Sequence, residues 1–341
     1  MPSSASMAPA PRTGLHPGIA DRVRQAEAAA ALGKPAHQQS AAEVRAAFLA
    51  ARKPLQRPAA GPHTGLHIED RELPREGSDP IPLRLYRPAS GQPRGVLAYF
   101  HGGGFTNGDL DSHDAVACAL AAGSGCAVAS VDYRVMPKHI FPAAFDDAVA
   151  VLRWLPAWAA ELGVQAAAIG AGGDSSGANL ALAAALELRD ELPLRALWLA
   201  YPIIGADFDT LSYRQNANAP LLTRARCQRI LADYRGGPLL PDDWRVAPLL
   251  APDLAGLPPA VAIAAELDPL RSDAEILSER LPGTVVVRAA GMPHGFLRWV
   301  GDSPACQAVA EASFAALRRV MANAANAGAV REPLPDRVTA Y

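Results

Sequence analysis

Residues 165–180 read "QAAAIGAGGDSSGANL": an apolar run, then glycines around a pair of serines, then a helix-forming stretch. Within it, residues 173–177 have the spacing G-x-S-x-G. At this spacing a serine can lie on a strained turn between a strand and a helix, because the flanking glycines let the neighbouring backbone approach closely. The stretch therefore predicts a strand, a sharp turn that presents Ser175, and a helix from Gly177 to about Leu188.

The same order of strand and helix continues on both sides of this stretch. From about residue 65, "LHIEDRELP" and "IPLRLYRP" alternate apolar and polar residues, as half-buried strands do. Short apolar runs separated by helical patterns follow, which is typical of a mostly parallel sheet covered on both faces. The predicted fold class is therefore α/β. The apolar runs are "GVLAYFH", "CAVASVDY", "QAAAIGAGGD", "RALWLAYP", "PAVAIAAELD" and "TVVVRAAG".

Helical segments without strands precede the predicted α/β core, and a further such segment interrupts it after residue 204. The first predicted helix covers roughly Ile19 to Leu32, and the second begins where Ser40 and Glu43 have capping-box spacing. The long excursion after residue 204 is typical of a lid or binding loop. The predicted division is a flexible N-terminus (1–16), N-terminal cap helices (17–64), a first core part (65–204), a cap or lid insertion (205–250), a second core part (251–325) and a C-terminal tail (326–341).

Composition narrows the class of protein. The 341 residues carry a formal net charge of −2, which gives no electrostatic reason to expect nucleic acid as a partner. The four cysteines form neither a disulfide framework nor a zinc pattern, and we expect buried free thiols. The start of the chain has no apolar signal region, and no stretch of 18 or more apolar residues predicts a membrane span. We expect a cytoplasmic protein that needs no cofactor and no metal.

Ser175 requires a base before its hydroxyl can act as a nucleophile. One histidine, His294 in "GMPHGF", follows Ser175 in the chain, on a loop directly after the last predicted strand. Asp268 follows the preceding predicted strand and stands before Pro269, so that it would emerge at the same edge of the sheet as His294. Asp268 could instead be a helix cap, and Asp273 is the rival acid, although it would lie inside the helix. Ser175, Asp268 and His294 are the candidate catalytic residues.

The segment "HGGGFTNG", residues 101–108, follows the apolar run "GVLAYF". A serine that attacks an acyl group needs preorganised N–H donors for the oxyanion that develops. Glycines leave such N–H groups uncovered, and the segment lacks the spacing of a phosphate-binding or dinucleotide-binding loop. We expect the donors to come from Gly103, Gly104 and Ser176, and His101 and Gly102 to shape the loop.

Together these motifs resemble the hormone-sensitive-lipase family of bacterial α/β-hydrolase carboxylesterases. The resemblance extends from about residue 80 to about residue 320 and rests on five motifs in the family's order. These are "HGGGFTNGDLDSHD", "VDYRVMPKHIFPAAFDDA", "GGDSSGANLA", "LDPLRSDAE" and "PHGF".

The resemblance implies an α/β-hydrolase fold with a helical cap, a nucleophile at Ser175, a general base at His294 and an orienting acid at Asp268. It also implies oxyanion donors at Gly103, Gly104 and Ser176, and homodimerisation. Two departures bear on substrate preference: Ser176 stands where the family usually has alanine, and "YRVMPK" replaces "YRLAPE". Asp111, His113 and Asp114 could be taken for metal ligands, but they lie in the family's loop motif and are expected to be structural.

The predicted function is hydrolysis of short- to medium-chain acyl esters through a covalent acyl-enzyme. Acyl transfer to an alcohol and amide cleavage use the same three residues and remain alternatives. A non-catalytic receptor for a small molecule is a further alternative. It is disfavoured because the plant gibberellin receptors that resemble this family have lost the histidine, which is present here as His294.

Overall fold

The computed structural model describes residues 14–30, 34, 36–51, 65–75, 77–237, 243–322 and 337–340. The helices in these ranges are α1 (Pro17–Ala30), α2 (Ala41–Ala51), α3 (Asp114–Ser124), α4 (Ala143–Glu161), α5 (Ser176–Glu187), α6 (Leu211–Gln215), α7 (Arg224–Arg235), α8 (Arg271–Arg280) and α9 (Pro304–Ala322). The strands are β1 (Leu66–Arg75), β2 (Ser78–Pro88), β3 (Val96–Phe100), β4 (Ala127–Val131), β5 (Ile169–Asp174), β6 (Ala196–Ala200), β7 (Ala260–Leu267), β8 (Val285–Pro293) and β9 (Arg337–Ala340).

All of these strands form one sheet in the order β1-β2-β4-β3-β5-β6-β7-β8-β9. The β1–β2 and β2–β4 pairs are antiparallel, and the pairs from β4–β3 to β8–β9 are parallel. Every residue of β3, β4 and β6 is buried, whereas β1 alternates between exposed and half-buried residues. This is the expected difference between central parallel strands covered on both faces and an antiparallel edge strand.

The two faces of the sheet carry separate hydrophobic cores. On one face α4, α5, α7 and α8 contribute Leu152, Leu182, Ile230 and Leu277 to a common cluster. On the other face α1, α3 and α9 contribute Val23, Leu120 and Phe314. The sheet is therefore the middle layer of three, and the loops at the carboxyl ends of its parallel strands are the places where a site can open to the surface.

The strand order brings two pairs of loops together. Strands β3 and β5 are neighbours although β4 lies between them in sequence, so the glycine segment after β3 emerges beside the serine turn after β5. Strands β7 and β8 are also neighbours, and they end next to Asp268 and His294. All four loops lie at the same edge of the sheet, because β3, β5, β6, β7 and β8 are parallel.

The α/β class and each of the eight strands predicted from the sequence are confirmed. So are the capping box, in which the Ser40 N–H donates to Glu43 Oε2 at 2.8 Å and the Glu43 N–H to Ser40 Oγ at 3.2 Å, and the burial of the four free cysteines. Helices α3, α6 and α9 and strand β9 are not predicted from the sequence. β9 lies within the predicted C-terminal tail, where it pairs with β8.

Some sequence predictions fall where little or nothing of the structure is described. The predicted flexible N-terminus lies outside the described residues up to position 13, as do residues 52–64 of the predicted cap helices and residues 326–336 of the predicted tail. The predicted domain boundaries and homodimerisation stay predictions. Among the described helices, none combines the length and the apolar composition that crossing a bilayer requires.

Candidate active site

Ser175 lies on the turn between β5 and α5 with φ 55° and ψ −117°, a conformation that side chains with a Cβ rarely adopt. A backbone hydrogen bond to the neighbouring strand fixes the turn: the Ser175 N–H donates to the carbonyl of Ala200 on β6 at 2.9 Å. Gly177 makes the close packing possible, because a Cβ at that position would overlap the carbonyl of Phe100 at the end of β3. The G-x-S-x-G spacing therefore produces the predicted strained turn.

The structure brings together Ser175, His294 and Asp268, the three candidate catalytic residues. His294 Nε2 lies 2.9 Å from Ser175 Oγ, and His294 Nδ1 lies 2.7 Å from Asp268 Oδ2. Asp268 is completely buried, whereas 8% of the surface of Ser175 and 8% of that of His294 are exposed to solvent. With Nδ1–H donating to the carboxylate, Nε2 is free to accept the serine proton, which is the arrangement that a serine nucleophile requires.

Asp268 is fixed by two further contacts. Its Oδ1 accepts the N–H of Leu270 at 2.9 Å, and its backbone carbonyl accepts the side-chain amide of Asn216 at 2.9 Å. The carboxylate therefore caps the turn before α8 with one oxygen and contacts His294 with the other. Asp268 is not the N-cap of α8, since that position is Leu270 and no side chain caps it, but its carboxylate does contact the His294 ring.

The rival acid, Asp273, has a different set of partners. It lies within α8, where its Oδ2 accepts the N–H groups of Ile204 and Gly205 at 3.0 and 2.8 Å. Burial raises the pKa of Asp273 to about 7 against the opposing effect of those two N–H donors. Asp273 thus anchors the chain where the predicted insertion begins, and both N–H groups that it accepts come from that part of the chain.

The glycine segment after β3 bends beside Ser175. Gly103 has φ 125°, and a Cβ there would overlap the carbonyl of Asn107, so the segment cannot take this path with a side chain at position 103. The Gly102 N–H donates to Asp174 Oδ1 at 2.8 Å, and a Cβ on Gly102 would overlap the other oxygen of that carboxylate. Asp174 is buried and also accepts the hydroxyl of Tyr99 at 2.7 Å.

His101, which the sequence analysis expects to shape this segment, is completely buried at the start of it. Burial lowers the pKa of His101 to about 3, so the ring is neutral. The ring stacks on Tyr133 with the centroids 4.3 Å apart, and Nδ1 lies 2.8 Å from the carbonyl of Gly102. The hydroxyl of Tyr133 donates to the carbonyl of His101 at 2.7 Å.

The expected oxyanion donors lie on two elements. As the first residue of α5, Ser176 has an N–H group that lacks an intrahelical acceptor. The Gly104 N–H donates to the side chain of Ser176, with 3.0 Å between N and Oγ. The sequence analysis expects Gly104 to be a donor for the oxyanion and does not predict its bond to Ser176.

Both predicted cap segments contact the glycine segment. From α7, Tyr234 stacks on Phe105 with ring centroids 3.7 Å apart, and Ile230 lies against Gly104. From α2, the Arg45 guanidinium donates to the carbonyls of Thr106 and Gly108 at 3.3 and 3.2 Å. Apolar and aromatic side chains of α7 therefore pack against the glycine segment.

The acidic residues near this segment have structural partners. Arg84 donates to Asp111 at 2.9 Å and to Asp114 at 3.3 Å, and His113 Nε2 lies 3.8 Å from Asp174. Across the described ranges there is no group of three or more acidic, histidine or cysteine side chains that could hold a metal ion.

Sequence reasoning missed several residues of this site. Tyr133 stands in the quoted motif "VDYRVMPKHIFPAAFDDA", so a signal for it existed. Asn216 and Arg45 lie in stretches whose pattern gives no sign of a contact with Asp268 or with the glycine segment. Their partners lie 52 and about 60 residues away in the chain.

Comparisons with known proteins agree with this fold. A family model described as the alpha/beta hydrolase fold matches residues 97–298. Carboxylesterase NlhH of Mycobacterium tuberculosis is 39% identical over 268 residues, which cover 75% of this chain and 83% of the relative. Ethyl acetate hydrolase of Pseudomonas putida is 33% identical over 296 residues, covering 83% of this chain and 92% of that protein. The crystal structure of a thermostable esterase from Pseudomonas putida ECU1011 superimposes with a TM-score of 0.79 at 28% identity, over 92% of this chain and 99% of that one.

A mostly parallel sheet with a serine on a strained strand-to-helix turn, a histidine after β8 and a carboxylate after β7 defines the class of α/β hydrolases. The extent of the family match and the identity to the relatives show that this chain belongs to that family. Within it, the chain is a carboxylesterase of the group related to hormone-sensitive lipase.

Proposed function

We propose that the protein is a serine carboxylesterase that hydrolyses short- to medium-chain acyl esters through a covalent acyl-enzyme on Ser175. The observation that supports this most strongly is the continuous chain of contacts from Ser175 Oγ through the His294 ring to the buried Asp268 carboxylate, at 2.9 and 2.7 Å. A purely structural role for His294 would not require a serine hydroxyl at one ring nitrogen and a buried carboxylate at the other.

In the first half of the reaction, Ser175 Oγ attacks the carbonyl carbon of the ester while His294 Nε2 takes the hydroxyl proton. Asp268 holds the ring in the tautomer that can accept this proton and stabilises the imidazolium that results. The negative charge moves to the carbonyl oxygen, where the N–H groups of Gly103, Gly104 and Ser176 are the proposed donors. When the tetrahedral intermediate collapses, the C–O bond to the alcohol breaks and His294 gives the proton to the departing oxygen.

In the second half, water attacks the acyl group on Ser175. His294 takes a proton from that water, and the second tetrahedral intermediate collapses to the free acid and regenerated Ser175. The chemistry is complete with these side chains and backbone groups.

Two observations support a preference for short or medium acyl chains. Helix α7 packs directly against the glycine segment through Tyr234 and Ile230, and an acyl chain that extended past this segment would meet that packing. A relative at 33% identity is named ethyl acetate hydrolase, after an ester with a two-carbon acyl group.

The test is hydrolysis of a series of p-nitrophenyl esters, from acetyl to dodecanoyl, by the wild type and by Ser175→Ala. We expect the highest kcat/KM on the shorter chains and loss of turnover in the variant by several orders of magnitude. Addition of a competing alcohol, and assay of the matching anilide, would show whether acyl transfer or amide cleavage contributes. Equal activity of wild type and variant would contradict the proposal.

A further inference from the structure

The side chain of Ser176 lies between the nucleophile turn and the glycine segment. Ser176 is completely buried, and its Oγ accepts the N–H of Gly104 at 3.0 Å. That N–H is one of the three donors proposed for the oxyanion. A backbone N–H carries one proton and points in one direction, so while it binds Ser176 Oγ it is not fully available to a second acceptor.

Tyr133 is a further polar neighbour of Ser176. The Ser176 hydroxyl interacts with the phenol of Tyr133, whose own proton is donated to the carbonyl of His101 at 2.7 Å. Burial raises the pKa of Tyr133, so the phenol keeps that proton. Ser176 Oγ has two lone pairs and one proton, and one of these lone pairs accepts the Gly104 N–H at 3.0 Å.

We propose that Ser176 is a positioning residue whose hydroxyl competes with the oxyanion of the reaction for the N–H of Gly104. In the resting enzyme Ser176 Oγ accepts the Gly104 N–H, and the N–H groups of Gly103 and Ser176 are the proposed donors that remain for the oxyanion. As charge develops, the Gly104 N–H turns to the oxyanion, because a charged acceptor forms the stronger hydrogen bond. The stabilisation that this third donor gives to the oxyanion is reduced, because its hydrogen bond to Ser176 Oγ must first break. This inference rests on the proposed esterase function.

The competition predicts that removal of the hydroxyl speeds the reaction. Ser176→Ala keeps the backbone N–H of residue 176 and removes the competing acceptor. We expect kcat on p-nitrophenyl acetate to rise by about twofold to tenfold, the factor that corresponds to one neutral hydrogen bond, while KM changes less than twofold. A kcat that is unchanged or lower would overturn the proposal.

A matched control is available in Ser124, another buried serine whose Oγ accepts a backbone N–H, that of Cys126 at 3.1 Å, away from the site. Ser124→Ala removes a bond of the same kind and should leave kcat unchanged. If both variants raised kcat equally, a general loosening of the fold would explain the effect and the proposal would fail.

A second readout reports on the oxyanion itself. A trifluoromethyl ketone adds to the serine and forms a tetrahedral adduct that carries the oxyanion, whereas the product acid acetate does not. Ser176→Ala should bind the ketone more tightly by the same factor by which kcat rises, with the inhibition constant of acetate unchanged. Equal affinity of the two proteins for the ketone would contradict the proposal. Should the alanine variant fold poorly, Ser176→Cys supplies a weaker acceptor and should shift both quantities in the same direction, and no shift in a folded cysteine variant would again refute it.

Failure of this inference is distinguishable from failure of the proposed function. A wild type that hydrolyses no ester, and whose Ser175 does not react with an organophosphate, would overturn both. An active wild type whose Ser176→Ala variant is no faster would overturn the competition for Gly104 alone.

Discussion

Replacement of Asp268 by asparagine tests which carboxylate orients His294. In the wild type, Asp268 Oδ1 accepts the Leu270 N–H at 2.9 Å and Oδ2 lies 2.7 Å from His294 Nδ1. An asparagine has a single oxygen, and the Leu270 N–H can bond only to an acceptor. The amide oxygen of the variant therefore faces Leu270, and its NH₂ group faces His294 Nδ1.

This orientation forces the wrong tautomer on the histidine. With the NH₂ group donating to Nδ1, the ring proton moves to Nε2 and faces Ser175 Oγ, so Nε2 can no longer accept the serine proton. The corresponding substitution in serine proteases lowers kcat about 10⁴-fold, which equals about 5.4 kcal/mol of transition-state stabilisation. We expect a loss of this size for Asp268→Asn in p-nitrophenyl acetate hydrolysis, with KM within a few fold of the wild type.

The matched control is Asp273→Asn, a second buried aspartate in the same region. Its two N–H donors, from Ile204 and Gly205, converge on one oxygen, which an amide can replace. This variant should keep kcat within about tenfold of the wild type, because no contact to the histidine is altered. The reasoning is refuted if Asp268→Asn retains near-normal kcat or if Asp273→Asn is the variant that loses it.

Three further perturbations follow from the same contacts. The folded-state pKa of Asp273, about 7, lies above its ordinary value of 3.8, so its contribution to stability is present at low pH and is lost as the pH rises through 7. The unfolding free energy of Asp273→Asn minus that of the wild type should therefore be about 2–3 kcal/mol larger at pH 8 than at pH 5. Urea denaturation at the two pH values measures this change. Gly102→Ala places a Cβ against Asp174 and should lower kcat by about 10²–10³-fold, as loss of an oxyanion donor does. Arg45→Met removes the two contacts from α2 to the glycine segment and should lower kcat by roughly twofold to tenfold in the ester assay.

Each of these three predictions has a result that would contradict it, and the Gly102 and Arg45 variants each have a matched control. For Asp273→Asn, a stability difference that does not change with pH would show that the carboxyl is not the titrating group. Gly237→Ala, where no atom lies within 4 Å of the added Cβ, is the control for Gly102→Ala, and equal kcat in both variants would contradict the loop geometry. Arg24→Met, on the exposed face of α1, is the control for Arg45→Met. Identical behaviour of the two arginine variants would show that the α2 contact has no influence on the site.

The parts of the fold that the sequence predicts are those encoded within a few residues of one another. The strand runs, the turn at Ser175 and the capping box at Ser40 depend on local spacing, and each lies where it was predicted. Helix α9 carries its signal as well, because its buried residues recur at helical spacing along Pro304–Ala322. Helix α3 has no side-chain cap at its start, and β9 has four residues, so neither element shows a clear local pattern.

The site depends on contacts between distant segments, and these limit what sequence can predict. The order of Ser175, Asp268 and His294 along strands of a parallel sheet was enough to place them at one edge. The bond from Gly104 to Ser176, across 72 residues, depends on β3 and β5 being neighbours, which the spacing within either strand does not reveal. The preference for Asp268 over Asp273 rests on their positions relative to the strand end and stays a prediction. Asp268 Oδ2 lies near His294 Nδ1, whereas Asp273 Oδ2 accepts the N–H groups of Ile204 and Gly205.

The most direct test of the central proposal, nucleophilic attack by Ser175, is mass spectrometry after reaction with an organophosphate ester such as diethyl p-nitrophenyl phosphate. We expect one phosphoryl group per chain, located on Ser175 by fragmentation. The label should also form in Ser176→Ala and be absent from Ser175→Ala. A label on Ser176, a label that persists in Ser175→Ala, or an unlabelled wild type would contradict the assignment of Ser175 as the nucleophile.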